Sequence, residues 1–149
     1  MKKLFVFGLA MVFALSIFGI VGAQQPQYVF KMQSTWTAGD FHHQNPTKFV
    51  EIIEKASGGR IKINLSATGS VVPTFEVLDA VHKGILDMGH AWPGYWFGKN
   101  PAVTLFGSVA GGPFGMDSWD FMGWYYLGGG KELYQELLQK ELKLNVVAF

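Results

Sequence analysis

Stretches with a two-residue hydrophobic period alternate along this chain with stretches of helical period, and that alternation constrains the fold more than any other feature. Residues 28–34 (YVFKMQS) alternate apolar and polar side chains, the pattern of a strand with one buried face. A loop through Thr37-Ala38-Gly39-Asp40 leads to Asn45-Pro46, where Asn suits a helix cap and Pro the first helical position. Phe49, Ile52, Ile53 and Ala56 then share one helical face, opposite Lys48, Glu51, Glu54 and Lys55, until Gly58-Gly59 stops the helix. Residues 60–67 alternate again, with Ile61, Ile63 and Leu65 on one side. After a loop at Gly69, Pro73 opens a second helix with Val77, Leu78, Val81 and Ile85 inward. Residues 86–91 and 103–109 read as a third and a fourth strand, and Gly111-Gly112-Pro113 breaks the chain. Asp117 is placed to cap a helix over 118–126. Gly128-Gly129-Gly130 separates that helix from another over 131–142, with Leu133, Leu137 and Leu138 inward, and 145–149 begins a further strand. Alternating strands and helices predict an α/β fold with a mainly parallel sheet. Phe149 closes the sequence inside an apolar strand-like run, so a chain cut short is expected.

The first 23 residues have a different character. Met1-Lys2-Lys3 is a short basic start, residues 4–22 form an uncharged apolar run, and Val21-Gly22-Ala23 offers small residues before the polar Gln24-Gln25-Pro26-Gln27. That is the pattern of an export signal cleaved after Ala23, leaving 24–149 as the working segment. No cysteine is available for lipid attachment, for disulfides or for a thiolate metal site. Residues 24–149 hold ten basic and eleven acidic side chains, a net charge of −1. The slightly basic whole chain therefore makes no case for nucleic acid.

Candidate chemistry is sparse. His42 and His43 are adjacent and diverge on any regular element, His82 lies on a polar helix face, and His90 follows a strand-like run, so no metal site is expected. There is no Gly-x-Ser-x-Gly elbow, and Ser34, Ser57, Ser66, Ser70, Ser108 and Ser118 lack a matched base. Asp117 and Asp120 are better explained as helix-start residues than as paired acids. The Gly128 triplet lacks the Lys-Ser/Thr of a phosphate loop. What stands out is a density of aromatics near turns: Trp36 after the first strand, Trp92, Tyr95, Trp96 and Phe97 after the third, and Phe114 before the Asp117 helix. Carboxyl ends of strands are where open α/β sheets bind ligands, and Tyr and Trp combine an apolar wall with a hydrogen-bond donor.

Several segments carry a resemblance. They are Phe49-Val50-Glu51, Ser57-Gly58-Gly59-Arg60-Ile61-Lys62-Ile63, residues 69–81 (GSVVPTFEVLDAV) and 84–90 (GILDMGH), then Tyr95-Trp96 with 98–101 (GKNP). Pro113-Phe114-Gly115-Met116 and 125–130 (YYLGGG) ahead of Glu132-Leu133 complete the series. In order, they resemble the solute-binding subunits of tripartite ATP-independent periplasmic (TRAP) transporters, DctP-type, in the branch associated with 2-oxo acids and lactate. The resemblance implies a type II periplasmic-binding-protein architecture of two α/β lobes, of which this chain matches the amino-terminal half. It also implies a receptor, not an enzyme, that closes on an organic acid and delivers it to a membrane permease driven by an ion gradient. The expected ligand is a 2-oxo or 2-hydroxy monocarboxylate, with a dicarboxylate kept open. No cofactor is implied, and a homodimer of the full-length protein is left open.

Their place at strand ends, and for Tyr95 the match to a tyrosine that commonly lines the family's cleft, make Tyr95 an expected hydroxyl donor to the ligand and Trp36 an apolar wall, with Val72, Pro73 and Phe114 as further lining. The arginine that usually pairs with the ligand carboxylate lies in the part not matched here, and Arg60 is the only arginine of this chain. A fragment limited to these residues is accordingly expected not to bind. Trp92-Pro93-Gly94 and Gly111-Gly112 depart from the family pattern in loops expected to line the cleft. Two rival readings are a small secreted hydrolase using His90 with Asp87 or His43, and a structural domain anchored by a retained leader.

Overall fold

The computed structural model describes residues 25–107 and 115–149; the leader, the glycine break at 111–113 and Phe114 lie outside the described residues. Three strands form one parallel sheet in the order β2-β1-β3: β1 (Tyr28–Ser34), β2 (Ile61–Ser66) and β3 (Met88–His90). β1 is central, pairing Tyr28 with Ile61 through Gln33 with Ser66 on one side and Met32 with Met88 through Ser34 with His90 on the other. Helix α1 (Phe41–Ala56) carries the chain from β1 to β2. A single 3₁₀ turn (Thr74–Glu76) and helix α2 (Val77–His82) carry it from β2 to β3. These two crossovers are what a parallel sheet requires. Beyond β3 come 3₁₀ turns at Pro93–Trp96 and Pro101–Phe106, then α3 (Ser118–Leu127), α4 (Gly130–Glu136) and a π-helical turn at Leu137–Glu141.

Several expectations are corrected. α1 begins four residues before Asn45: Asp40 is its cap, accepting from the His42 amide at 2.7 Å. Pro46 therefore lies inside the helix, where it removes the bond to the His42 carbonyl, which sits in an exposed first turn. The loss is tolerated because the Pro46 ring itself is fully buried. Of the predicted apolar face, Phe49 and Ile53 are half-buried while Ile52 and Ala56 are exposed. α2 ends at His82, so Ile85 falls outside it and is exposed, and Leu86, at 1% exposure, takes the core position.

The predicted strand at 103–109 is a 3₁₀ turn over its described part. Asn100 accepts from the Ala102 amide at 2.9 Å, Pro101 follows it, and the Thr104 hydroxyl donates to the Pro101 carbonyl at 2.8 Å. Local capping thus outweighs the β-branched composition. In α4 the inward residue is Tyr134, not Leu133, which is exposed; Leu137 and Leu138 are buried as expected. Asp117 does cap α3, accepting from the Trp119 and Asp120 amides at 2.8 and 2.9 Å.

Residues 145–149 are extended but join no ladder among the described residues. Side chains take the place of a neighbouring strand. Gln135 donates to the Val146 carbonyl at 2.7 Å and accepts from the Ala148 amide at 2.9 Å, and His82 Nδ1 accepts from the Asn145 amide at 2.8 Å. This anchoring places Leu144 and Val146 in a core with Leu78, Trp96, Val103, Phe121, Tyr134 and Leu138. A smaller cluster of Val77, Ala80 and Leu86 holds α2 against the sheet, with Gly89 of β3 so close to Val77 that a side chain there would collide with it.

Candidate ligand site

The carboxyl ends of the three parallel strands meet, and three connections fix them there. The Thr35 amide donates to the His90 carbonyl at 2.9 Å, tying the exit of β1 to that of β3. The Thr68 amide donates to the Trp36 carbonyl at 3.0 Å, tying it to the segment after β2. The third connection is Gln33, a fully buried polar residue in the central strand. Its Oε1 accepts from the Val71 and Val72 amides at 2.8 and 3.1 Å, and its Nε2 donates to the Val72 carbonyl at 2.7 Å. One side chain thereby holds the loop that carries Val72 and Pro73.

An aromatic cluster stands on this platform. Trp36 stacks on His42 (centroids 5.1 Å apart, planes at 17°) and contacts His90 at 4.9 Å and Tyr95 at 6.2 Å. Tyr95, in the turn after β3, meets Phe75 and Trp92 edge-on at 5.4 and 5.5 Å. Trp96 locks that turn by donating its indole N–H to the Phe75 carbonyl at 3.1 Å. Trp92 is accommodated by two glycines: a side chain on either Gly94 or Gly107 would run into its ring. Trp36 and Tyr95, paired in the sequence reading, are therefore neighbours, and Val72 and Pro73 sit on the adjoining loop. Phe114 lies outside the described residues. Gln33 and Phe75 are members of this end of the sheet that the sequence did not single out, and His42 and His90, weighed there as metal or hydrolase candidates, line Trp36 instead.

Charge is scarce here. Burial, and secondarily repulsion from His42 and His43, hold the His90 imidazole below its ordinary titration range, so the ring is neutral at neutral pH. A histidine that resists protonation when folded withdraws stability as pH falls below about 6.5, because the unfolded chain then binds more protons. Asp40 is held below the usual carboxylate range, first by the His42 amide and then by the His42 ring, whose Nδ1 lies 2.9 Å away. Arg60 is not part of the site. It immediately precedes β2, its Nε donates to the Ser57 carbonyl at 3.0 Å, and its carbonyl accepts from Gln27 and Tyr28. It thus marks the amino ends of the strands, about 20 Å from the carboxyl ends across a six-residue strand. Among the described residues no group of three or more His, Asp or Glu side chains is gathered to hold a metal ion.

A cavity of about 880 Å³ lies between the sheet, α1 and the later helices, lined by Met32, Phe49, Leu86, Phe121 and Val146 among others, with His90 also in its wall. Neither Trp36 nor Tyr95 lines it. Its walls are core side chains of several elements, so it is a gap in apolar packing, whereas the strand-end cluster has the donor and the aromatic walls a small ligand needs.

Residues 32–149 match the family described as bacterial extracellular solute-binding protein, family 7, also called DctP. The chain belongs to this family. Members are extracytoplasmic solute receptors. A monocarboxylate 2-oxoacid-binding periplasmic protein from Nostoc sp. is 31% identical over 129 residues, covering 87% of this chain and 34% of the relative. A TRAP transporter solute-binding protein from Bordetella bronchiseptica shares the fold at a TM-score of 0.73 and 24% identity, covering 83% of this chain and 35% of that one. A TRAP periplasmic solute-binding protein from Pseudoalteromonas atlantica, solved with bound sodium and pyruvate, superposes at a TM-score of 0.66 with 28% identity, over 76% of this chain and 33% of that one. The DctP-type chain described here therefore spans about a third of the length of these relatives, a smaller share than the half the resemblance implied.

Proposed function

We propose that this DctP-type chain forms part of an extracytoplasmic receptor that captures an organic acid and hands it to the membrane permease of a TRAP-type transporter. One observation carries the reading: Trp36 and Tyr95 converge, 6.2 Å apart, at the carboxyl ends of three parallel strands. The ligand class follows the relatives named above, a 2-oxo monocarboxylate, and a 2-hydroxy acid of the same shape is kept beside it. Trp92 packs edge-on against Tyr95, beside the proposed ligand contact.

Calorimetry of the full-length polypeptide with pyruvate, lactate and related acids tests the proposal. Tyr95→Phe is expected to weaken binding by about 0.5–1.5 kcal/mol, the contribution of one neutral hydrogen bond. Unchanged affinity would remove Tyr95 from the site. We also propose that the leader is cleaved after Ala23, on the small residues and polar stretch that surround that bond. Mass spectrometry of the exported protein should place its first residue at Gln24, and a start at Met1 would favour the anchored alternative.

The receptor reading excludes hydrolytic chemistry, and the side-chain arrangement supports this. Asp87 lies in the bend before β3 and accepts from the Lys31 amide at 2.7 Å, whereas His90 ends that strand against Trp36, so no bond links the two side chains. Ser34, the serine nearest in register to His90, uses its hydroxyl to accept from the Trp36 amide at 3.3 Å.

A further inference from the structure

At the ligand end of the sheet, Nδ1 of His90 and Nδ1 of His43 are buried without a hydrogen-bond partner among the described residues. Buried polar atoms are nearly always paired, so an orphan beside a candidate site marks a place where a ligand atom completes the bonding. His90 is the better placed of the two. It ends β3 opposite Ser34, and both the amide and the hydroxyl of Thr35 donate to its carbonyl, at 2.9 and 3.2 Å. Its ring lies 4.9 Å from that of Trp36, which in turn lies 6.2 Å from that of Tyr95. An acid resting on Trp36 and bonded to the Tyr95 hydroxyl is therefore within reach of the imidazole. Arg60 is engaged at the other ends of the strands, and His42 and His43 are the positive groups that bear on His90.

We propose that His90 is a further ligand-contacting residue, which takes up one proton from solvent as the acid enters and holds the carboxylate as an imidazolium–carboxylate pair. The inference deepens the receptor reading and depends on it. The groups that bear on His90 are His42 and His43 from the first turn of α1, whose nearest carboxylate, Asp40, is engaged by His42, and the aromatic ring of Trp36. The histidines oppose a further positive charge, and Trp36 withholds water from it. Both effects keep the unliganded ring neutral, and a carboxylate placed beside it reverses the balance. No covalent bond changes. The proton comes from water and returns to it when the ligand leaves.

The sign of the pH dependence follows. The bound form carries one more proton than the free form, so affinity rises as pH falls between the bound and free titration ranges of His90. Calorimetry of the full-length polypeptide with pyruvate, from pH 8 to pH 5.5 and in buffers of different ionisation heat, reads both quantities. The dissociation constant is expected to fall by up to about tenfold per pH unit, with uptake approaching one proton. His90→Gln should abolish the slope and the uptake, while His42→Gln and His43→Gln retain them. A wild-type affinity independent of pH, or a slope that survives His90→Gln, would overturn the proposal. A slope lost in the His43 variant alone would do the same. Should His90→Gln not fold, the wild-type ring decides: its NMR shift must move to the imidazolium position on adding pyruvate near neutral pH, and an unmoved shift sinks the idea. Absence of binding by every 2-oxo and 2-hydroxy acid at all pH values would instead overturn the receptor reading beneath it.

Discussion

Replacing Gln33 with alanine is expected to lower the unfolding free energy of the full-length polypeptide by about 2–4 kcal/mol. The side chain is fully buried in the central strand and makes three hydrogen bonds to the main chain at Val71 and Val72. Truncation removes all three and strands two amides and a carbonyl. A stranded buried group costs about 1–3 kcal/mol, reduced wherever water can enter. Water does reach this loop, because Val71 is half exposed, which keeps the total below the sum of three full penalties. Gln33→Met preserves volume but not the bonds, so it should recover little of the loss. The midpoint of urea unfolding for both variants checks this. A methionine variant as stable as wild type would show that Gln33 acts by packing alone. Loosening the loop should also weaken ligand binding if Val72 and Pro73 line the proposed site with Tyr95.

That residue also shows where the sequence stops being informative. In 28–34, the mixed apolar and polar pattern identifies β1, yet it assigns Gln33 to a solvent face, because a polar side chain in a strand reads as an outward one. Only the crossing loop after β2 makes the position an interior one, and that crossing is a tertiary fact. The same cause lies behind the other misreadings. Pro46 reads as a helix start because Asn-Pro is a local signal, whereas Asp40 wins through a carboxylate cap one turn and a half earlier. Residues 103–106 have strand composition, but Asn100-Pro101 imposes a capped turn. Leu133 and Tyr134 are neighbours on one helix, and which of them is inward depends on Phe106, whose ring stacks on Tyr134 at 4.7 Å. Within the candidate site, Trp36 and Tyr95 were legible because strand ends are where parallel sheets gather ligand contacts. His90 was not, since its significance is the missing partner of a buried nitrogen, which no spacing along a chain reveals.

A polypeptide restricted to residues 24–149 is expected to unfold over a broad range and to bind no 2-oxo acid with useful affinity. The described residues leave much apolar surface without cover: Trp119 is 86% exposed and Leu127 91%, with Ile52, Leu105 and Val147 also open to solvent. A cavity of about 880 Å³ separates the sheet from the later helices, and its walls are core side chains such as Met32, Leu86 and Phe121. Unfilled apolar volume on this scale forfeits the contacts that normally offset chain entropy. The sheet has three strands, so β2 and β3 each keep an open edge among the described residues, and open edges promote association between chains. Binding should fail for a separate reason. The chain's one arginine lies at the amino ends of the strands, and the resemblance assigns the carboxylate-pairing arginine to a part of the family's length that this chain does not span. Loss of a charged hydrogen-bond partner alone weakens affinity roughly ten- to hundredfold. Thermal unfolding of the isolated segment, followed by circular dichroism with and without pyruvate or lactate, distinguishes the outcomes. A shallow transition unmoved by ligand is expected, together with dye binding typical of exposed apolar surface. A sharp cooperative transition that shifts upward with pyruvate would show instead that these residues contain both a closed core and a complete site.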